Sequence, residues 1–190
     1  MRITIELDQA DVEQFVATMD RSRRLAQAMD EADVVDAAKH ALDMLPLAAA
    51  PTYVRSRLVG VQRLILMLED EDWALPNPER AEVLTALVYF SDPDDLIPDD
   101  VEVIGLFDDA VVLELALRRL RHVLKAYAEF CGFRQQLKDS DSELADSSRS
   151  EDTSQSRVQR AGKLARRRDV LRERMQRQTR RKLGNHQGES

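Results

Sequence analysis

The chain has few of the residues from which metal centres and covalent cross-links are built. Among 190 residues there is one cysteine, Cys131, and there are three histidines that lie far apart in the sequence. A single cysteine excludes an internal disulfide and is typical of a reducing compartment. Widely separated histidines do not have the spacing of a zinc ligand set. We therefore expect neither a disulfide scaffold nor a cofactor.

Turn-forming and aromatic residues are also scarce. The sequence has 6 glycines, 6 prolines and 5% aromatic residues, against 43% hydrophobic residues overall. Such a composition favours helices over a turn-rich fold and requires an aliphatic core. The predicted fold class is all-α, a bundle of about five helices.

Long hydrophobic runs are missing. The longest uncharged run, residues 44–54, has 11 residues and two prolines, whereas a membrane-spanning helix needs about 20. The first eight residues contain Glu6 and Asp8 and no apolar export segment. We expect a cytoplasmic protein with no transmembrane segment.

One short strand is predicted at the start of the chain. Ile3, Ile5 and Leu7 alternate with polar residues, which is the period of a half-buried strand. A lone strand leaves backbone groups unpaired. It could pair with its copy in a homodimer through residues 2–7, or it could be an extended lead-in packed on a helix. Both interpretations stay open.

Several helix boundaries have local signals. Asp30 is a predicted N-cap, and Asn77-Pro78-Glu79 places a cap, a proline and an acid where a helix begins. Ser91-Asp92-Pro93 predicts a helix end, because the residue before a proline resists the helical conformation. A further long helix is predicted over residues 108–137.

The segment 89–112, YFSDPDDLIPDDVEVIGLFDDAVV, has a specified order of residues. Asp92 and Pro93 end a helix, and an apolar Leu96–Ile97 pair is placed to anchor an acidic loop. The spacing of Asp99 suits a cap. These roles explain the loop mechanically without assigning it a reaction.

This segment resembles the signature of the YkvA-like family of small helical proteins, a domain of unknown function, over about residues 80–120. Asp92 and Asp94 depart from the family pattern, which has a serine and an apolar residue there. The resemblance implies a helical fold and transfers no activity. The residues that fit the pattern are Tyr89, Pro93, Asp95, Leu96, Ile97, Pro98, Asp99, Gly105, Asp108 and Asp109.

The carboxylates of the loop raise the question of a divalent cation. Hard cations prefer oxygen ligands, and a site here would use Asp95, Asp99, Asp108 and Asp109. The competing interpretation is that these acids cap helices or face solvent. No EF-hand spacing, nucleophile, phosphate loop or histidine partner accompanies them. We therefore predict no metal, no catalytic residue and no enzyme, with a divalent-metal-dependent enzyme as one alternative.

Charge is divided unevenly along the chain. Residues 151–190 carry 12 Lys/Arg and 5 Asp/Glu, a net +7, whereas residues 1–150 carry 16 and 30, a net −14. We predict a helical domain over 1–138, a disordered acidic and serine-rich linker over 139–156, and a basic, partly helical tail over 157–190. The tail could fold back on the acidic body, bind nucleic acid or remain a solvated extension. Its candidate nucleic-acid contacts are Arg166, Arg167, Arg168, Arg180, Arg181 and Lys182.

The sequence leaves more than one class of function open. The first hypothesis is a non-enzymatic helical interaction module with a protein partner. The alternative is a nucleic-acid accessory protein that works through the tail. The tail has no aromatic residue among its arginines, so stacking on bases and sequence-specific recognition are not expected.

Overall fold

All regular secondary structure in the described part of the chain is helical. The computed structural model describes residues 9–45, 52–92, 113–147 and 153–186, and within these ranges the protein is all-α. Over the same ranges, no helix is both long enough and apolar enough to cross a bilayer. In chain order the helices are α1 (Gln9–Ala28), α2 (Glu31–Met44), α3 (Thr52–Glu69), α4 (Asn77–Ser91), α5 (helical over 113–119), α6 (Arg121–Ser147) and α7 (Thr153–His186).

The boundaries that had local signals are confirmed. The Asp30 side chain caps α2, since its Oδ1 accepts a hydrogen bond from the Ala32 backbone N–H at 3.0 Å. Helix α4 begins at Asn77 and ends at Ser91. Capping depends on residues within one turn of the helix end, so sequence alone suffices to place it.

Two predictions concern residues outside the described ranges. The N-terminal strand, with the homodimer through residues 2–7, is one of them. The acidic loop, residues 93–109, is the other, and it includes every candidate metal ligand. These stay predictions.

The region between the predicted body and tail is more helical than expected. A turn at Leu120 divides the predicted 108–137 helix, and α6 then continues to Ser147. Helix α7 begins at Thr153. Most of the predicted disordered linker, 139–156, therefore belongs to two helices, and residues 148–152 lie outside the described ranges. Low apolar content does not by itself end a helix, because extending a formed helix adds one backbone hydrogen bond per residue.

The chain divides into two compact units. Unit 1 comprises residues 1–66 and 80–120, and unit 2 comprises residues 67–79 and 121–190. The core of unit 1 is aliphatic, as the composition predicted. Its buried residues include Val34, Ala38, Val61, Leu64, Val83, Leu87, Leu113 and Ala116.

Helices α3 and α5 approach closely within unit 1. A Cβ atom added at Gly60 would lie 2.6 Å from Leu117 Cδ1, which is too close for a side chain to fit without movement. Beside this contact, Arg57 Nε of α3 lies 2.5 Å from Glu114 Oε2 of α5. The glycine thus permits a helix contact that an ion pair then accompanies.

Unit 2 is built on an antiparallel pair of helices. His122 of α6 contacts Thr179 of α7, and Glu129, one-third of the way along α6, pairs with Arg174. Because the α7 partner number falls as the α6 number rises, the two helices run in opposite directions. The core of this unit includes Met67, Trp73, Leu75, Val123, Ala126, Phe130, Leu171 and Met175.

Candidate functional site

Unit 2 contains a buried row of three hydrogen-bonded side chains from three helices. Thr179 Oγ1 of α7 donates to Glu79 Oε1 of α4 at 2.6 Å and lies 2.9 Å from His122 Nε2 of α6. The Glu79 and Thr179 residues are 1% and 5% exposed. A threonine hydroxyl has one proton, so with that proton directed at Glu79 we assign the His122 Nε2–H as donor to Thr179. These two hydrogen bonds connect α7 with α6 and with the start of α4.

A cation lies near this carboxylate. Burial lowers the pKa of Arg172, and the neighbouring Arg168 charge lowers it further, while the charges of Asp169 and Glu79 act in the opposite direction. Glu79 Oε2 is buried with no hydrogen-bond partner among the described residues. A buried carboxylate is costly unless it is compensated, and here one oxygen accepts the Thr179 hydroxyl while a partly buried guanidinium supplies nearby positive charge. Because Thr179 donates its hydroxyl proton to the Glu79 carboxylate, this hydrogen bond holds α7 against the start of α4.

A second polar cluster surrounds Asp70, in the turn after α3. Asp70 Oδ1 accepts from the Trp73 backbone N–H at 3.1 Å and from Arg134 Nη1 at 3.0 Å. Its Oδ2 accepts from the Tyr127 hydroxyl at 3.0 Å and lies 2.8 Å from Arg134 Nη2. Both carboxylate oxygens are therefore occupied, and the turn is tied to α6 through two side chains.

Burial, hydrogen bonds and charges within this cluster shift the pKa values of three groups. Burial by itself raises the pKa of Asp70, but hydrogen bonds from Arg134, Tyr127 and the Trp73 N–H outweigh it and hold the pKa below its ordinary value. Burial, contact with Cys131 and the Asp70 carboxylate raise the pKa of Tyr127. The hydrogen bond to Asp70 raises the pKa of Arg134. At neutral pH the cluster is thus a carboxylate held by a guanidinium and a neutral phenol.

An aromatic cluster lies beside Asp70. Trp73 is fully buried, and its ring centroid lies 5.8 Å from that of Tyr127 and 5.1 Å from that of Phe130. Tilted rings at such distances attract one another beyond the area that they bury. In a chain with few aromatic residues, three of them therefore meet where residues 67–79 contact α6.

Helix α7 has one face on α6 and one face in solvent. Leu171 and Met175 are buried at 1% exposure each. Three arginines contact other parts of unit 2: Arg174 pairs with Glu129 at 2.7 Å, Arg168 Nη1 donates to the Asp72 carbonyl at 3.4 Å, and Arg167 lies over the Phe133 ring. Of the open alternatives for the tail, the geometry of unit 2 favours docking.

The candidate nucleic-acid contacts therefore separate into two groups. Arg167 and Arg168 contact residues outside α7, namely Phe133 and Asp72. Arg166, Arg180 and Arg181 are exposed and have no ion pair with another described residue. The backbone of Lys182 belongs to α7, and its side chain lies outside the description.

Most of the signature lies outside the described ranges. Tyr89 is buried, in keeping with a structural role. Asp92 lies 3.6 Å from Arg21 in an ion pair. The other nine residues that fit the pattern, Pro93 to Asp109, lie outside the described ranges. Where the structure does describe the chain, no group of three or more His, Cys, Asp or Glu side chains is placed to hold a metal ion.

The histidines differ from one another. His40 is exposed on α2. His122 instead bonds to the buried Thr179, which in turn bonds to Glu79. The sequence did not predict this contact. No local signal could have revealed it, because Thr179 is 57 residues from His122 and 100 from Glu79.

Comparison with known proteins adds one finding. Residues 79–115 are similar to the family DUF1232, described as a protein of unknown function. The matched range overlaps the segment in which the sequence resembles a helical family, and it begins at Glu79. No curated protein and no solved structure is significantly similar to the chain. The match supports an uncharacterised family and supplies no activity.

Proposed function

We propose that the chain is a non-enzymatic helical interaction module that binds an anionic partner through the outward face of α7. One observation carries this proposal. The apolar face of α7 is buried within unit 2, while Arg166, Arg180 and Arg181 point into solvent without an ion pair to any described residue. Because the helix that carries these arginines is already packed, binding costs little backbone freedom.

The polar clusters of unit 2 support the non-enzymatic part of the proposal. Thr179 directs its hydroxyl proton at Glu79, and both oxygens of Asp70 accept hydrogen bonds from other elements. Hydrogen bonds of this kind fix the positions of the helices. A reaction at Thr179 or at Asp70 would require its hydrogen bonds to break. A metal-dependent enzyme would depend on Asp95, Asp99, Asp108 and Asp109, so it stays a separate hypothesis.

The full chain is expected to bind at least one anionic polymer at low salt despite its own net charge of −7. The measurement is fluorescence anisotropy with labelled duplex DNA, heparin and polyglutamate at about 50 and 200 mM salt. Affinity should fall at least about tenfold between the two concentrations, because binding releases counterions. No binding to any of the three polymers at low salt would overturn the proposal.

A further inference from the structure

The cations of α7 are sorted by the packing of the helix. Residues 168, 171, 175 and 179 recur at intervals of three or four and form the face turned toward the rest of unit 2. At 100° per residue, the opposite face carries exposed cations in two groups, one near the middle of α7 and one near its C-terminal end. These are Lys163, Arg166, Arg177, Arg180 and Arg181, here named the outward row.

We infer that the outward row binds the phosphate backbone of a nucleic-acid duplex without reading its sequence. This inference rests on the proposed function, since it specifies the anionic partner. At a rise of about 1.5 Å per residue, the row from Lys163 to Arg181 spans about 27 Å. That length corresponds to about eight base pairs at 3.4 Å each.

The type of cation favours phosphate. Four of the five residues in the outward row are arginines, whose planar guanidinium groups match phosphate oxygens in pairs. Arg177 also pairs with Glu173 at 2.6 Å, so the middle of the row is partly neutralised. The strongest positive charge therefore lies at the two ends, near Arg166 and near Arg180 and Arg181.

The faces of α7 argue against a membrane surface. An interfacial helix inserts an apolar face that includes large hydrophobic residues. In α7 the corresponding residues, Leu171 and Met175, are buried within unit 2. The outward face instead presents Val170, 60% exposed, among charged residues. The outward face therefore offers a lipid surface positive charge but lacks the apolar area needed for stable attachment.

The composition of α7 also argues against a protein groove and against base recognition. A helix that fills an apolar groove on a protein does so with large apolar anchors, whereas the α7 sequence contains no Phe, Tyr or Trp and its Leu171 and Met175 are already buried within unit 2. The same absence removes the side chains that stack on unpaired bases. What remains is contact with phosphates, which positions a protein on a duplex and carries no sequence information.

The test compares two variants that lose the same charge. The outward variant is Arg166→Gln/Arg180→Gln/Arg181→Gln. The matched control is Arg167→Gln/Arg168→Gln/Arg174→Gln, which removes arginines already in contact with Glu129, Phe133 and the Asp72 carbonyl. Each full-length variant is titrated into a labelled duplex of about 20 base pairs at several salt concentrations, with polyglutamate as a second probe.

The outward variant should lose at least about tenfold in duplex affinity at about 50 mM salt, and its log–log salt slope should shrink by about 2 to 3, for three lost phosphate contacts. The control should change duplex affinity by less than about threefold. Because the control could loosen α7, circular dichroism checks that both variants are folded. If the control unfolds, the single variants Arg181→Gln and Arg174→Gln replace the pair.

Equal losses in the two variants would overturn the inference, as would polyglutamate binding as tight as duplex binding. In both cases an anionic polymer still binds, so the proposed function survives while the nucleic-acid assignment fails. Absence of binding to every polymer would instead end both.

Discussion

Trp73→Ala is expected to destabilise unit 2 by about 3 to 5 kcal/mol, the range for removing a large buried aromatic side chain. Trp73 is fully buried, and its ring contacts Tyr127 and Phe130. Alanine would leave a cavity and remove both ring contacts. The neighbours cannot close that cavity easily, because α6, which carries both rings, is held by α7.

Urea unfolding followed by far-ultraviolet circular dichroism measures this cost. Val170→Ala is the control, since Val170 lies in the same unit and is 60% exposed; its cost should stay within about 0.5 kcal/mol. A Trp73→Ala cost below about 1 kcal/mol would mean that Trp73 does not lie in a packed core.

Asp70→Asn is expected to lower the free energy of unfolding by about 2 to 4 kcal/mol near neutral pH. The carboxylate is 8% exposed and binds the Arg134 guanidinium through both oxygens. The amide keeps the shape but loses the charge, which leaves the partly buried Arg134 with the exposed Asp72 carboxylate, 3.5 Å away, as its remaining counterion. Removing one partner of such a pair is strongly destabilising.

The same substitution predicts a pH dependence of known sign. Because the folded-state pKa of Asp70 is lowered, its contribution to stability is fully present above the unfolded value of about 3.9 and is lost as the pH falls through the folded value. The difference in unfolding free energy between wild type and Asp70→Asn should therefore be constant from about pH 7 to 5. It should shrink below about pH 4.

Unfolding titrations at about pH 7, 5 and 3 test this. Asp72→Asn serves as the control, because that carboxylate is exposed and lies 3.5 Å from the same arginine; a surface pair of this kind contributes about 0 to 1 kcal/mol. A difference between wild type and Asp70→Asn that grows below pH 4 would contradict the assigned charge states.

Local signals in the sequence were enough to predict the all-α fold class and several helix ends. Asp30 and Asn77 lie at helix starts because capping involves neighbouring residues. The composition predicted an aliphatic core, which unit 1 has, whereas unit 2 also groups Trp73, Tyr127 and Phe130. Helices α6 and α7 extend into the 139–156 region, for which composition predicted a disordered linker, because low apolar content argues against a packed core and does not by itself end a helix.

The junctions of unit 2 depend on contacts that no local pattern reveals. Asp70 is one of four consecutive acids, residues 69–72, and nothing in that run distinguishes it from its neighbours. In the tail, Leu171 and Met175 do not form a continuous apolar stripe, because Arg168 and Thr179 occupy the same face. Folding brings Glu79 and Thr179 together across 100 residues, which explains why docking remained one alternative of three.

The position of α7 is tested most directly by amide hydrogen exchange in the intact chain, for wild type and for Thr179→Val. If α7 is docked, its amides over residues 164–179 should exchange as slowly as those of α6 over residues 123–134. Thr179→Val should accelerate exchange near the end of α7 by about tenfold, since it leaves Glu79 and His122 without their shared hydroxyl, at a cost of about 1 to 3 kcal/mol. Wild-type α7 amides that exchange at the rates of an unfolded chain would contradict the docked helix and the outward row with it.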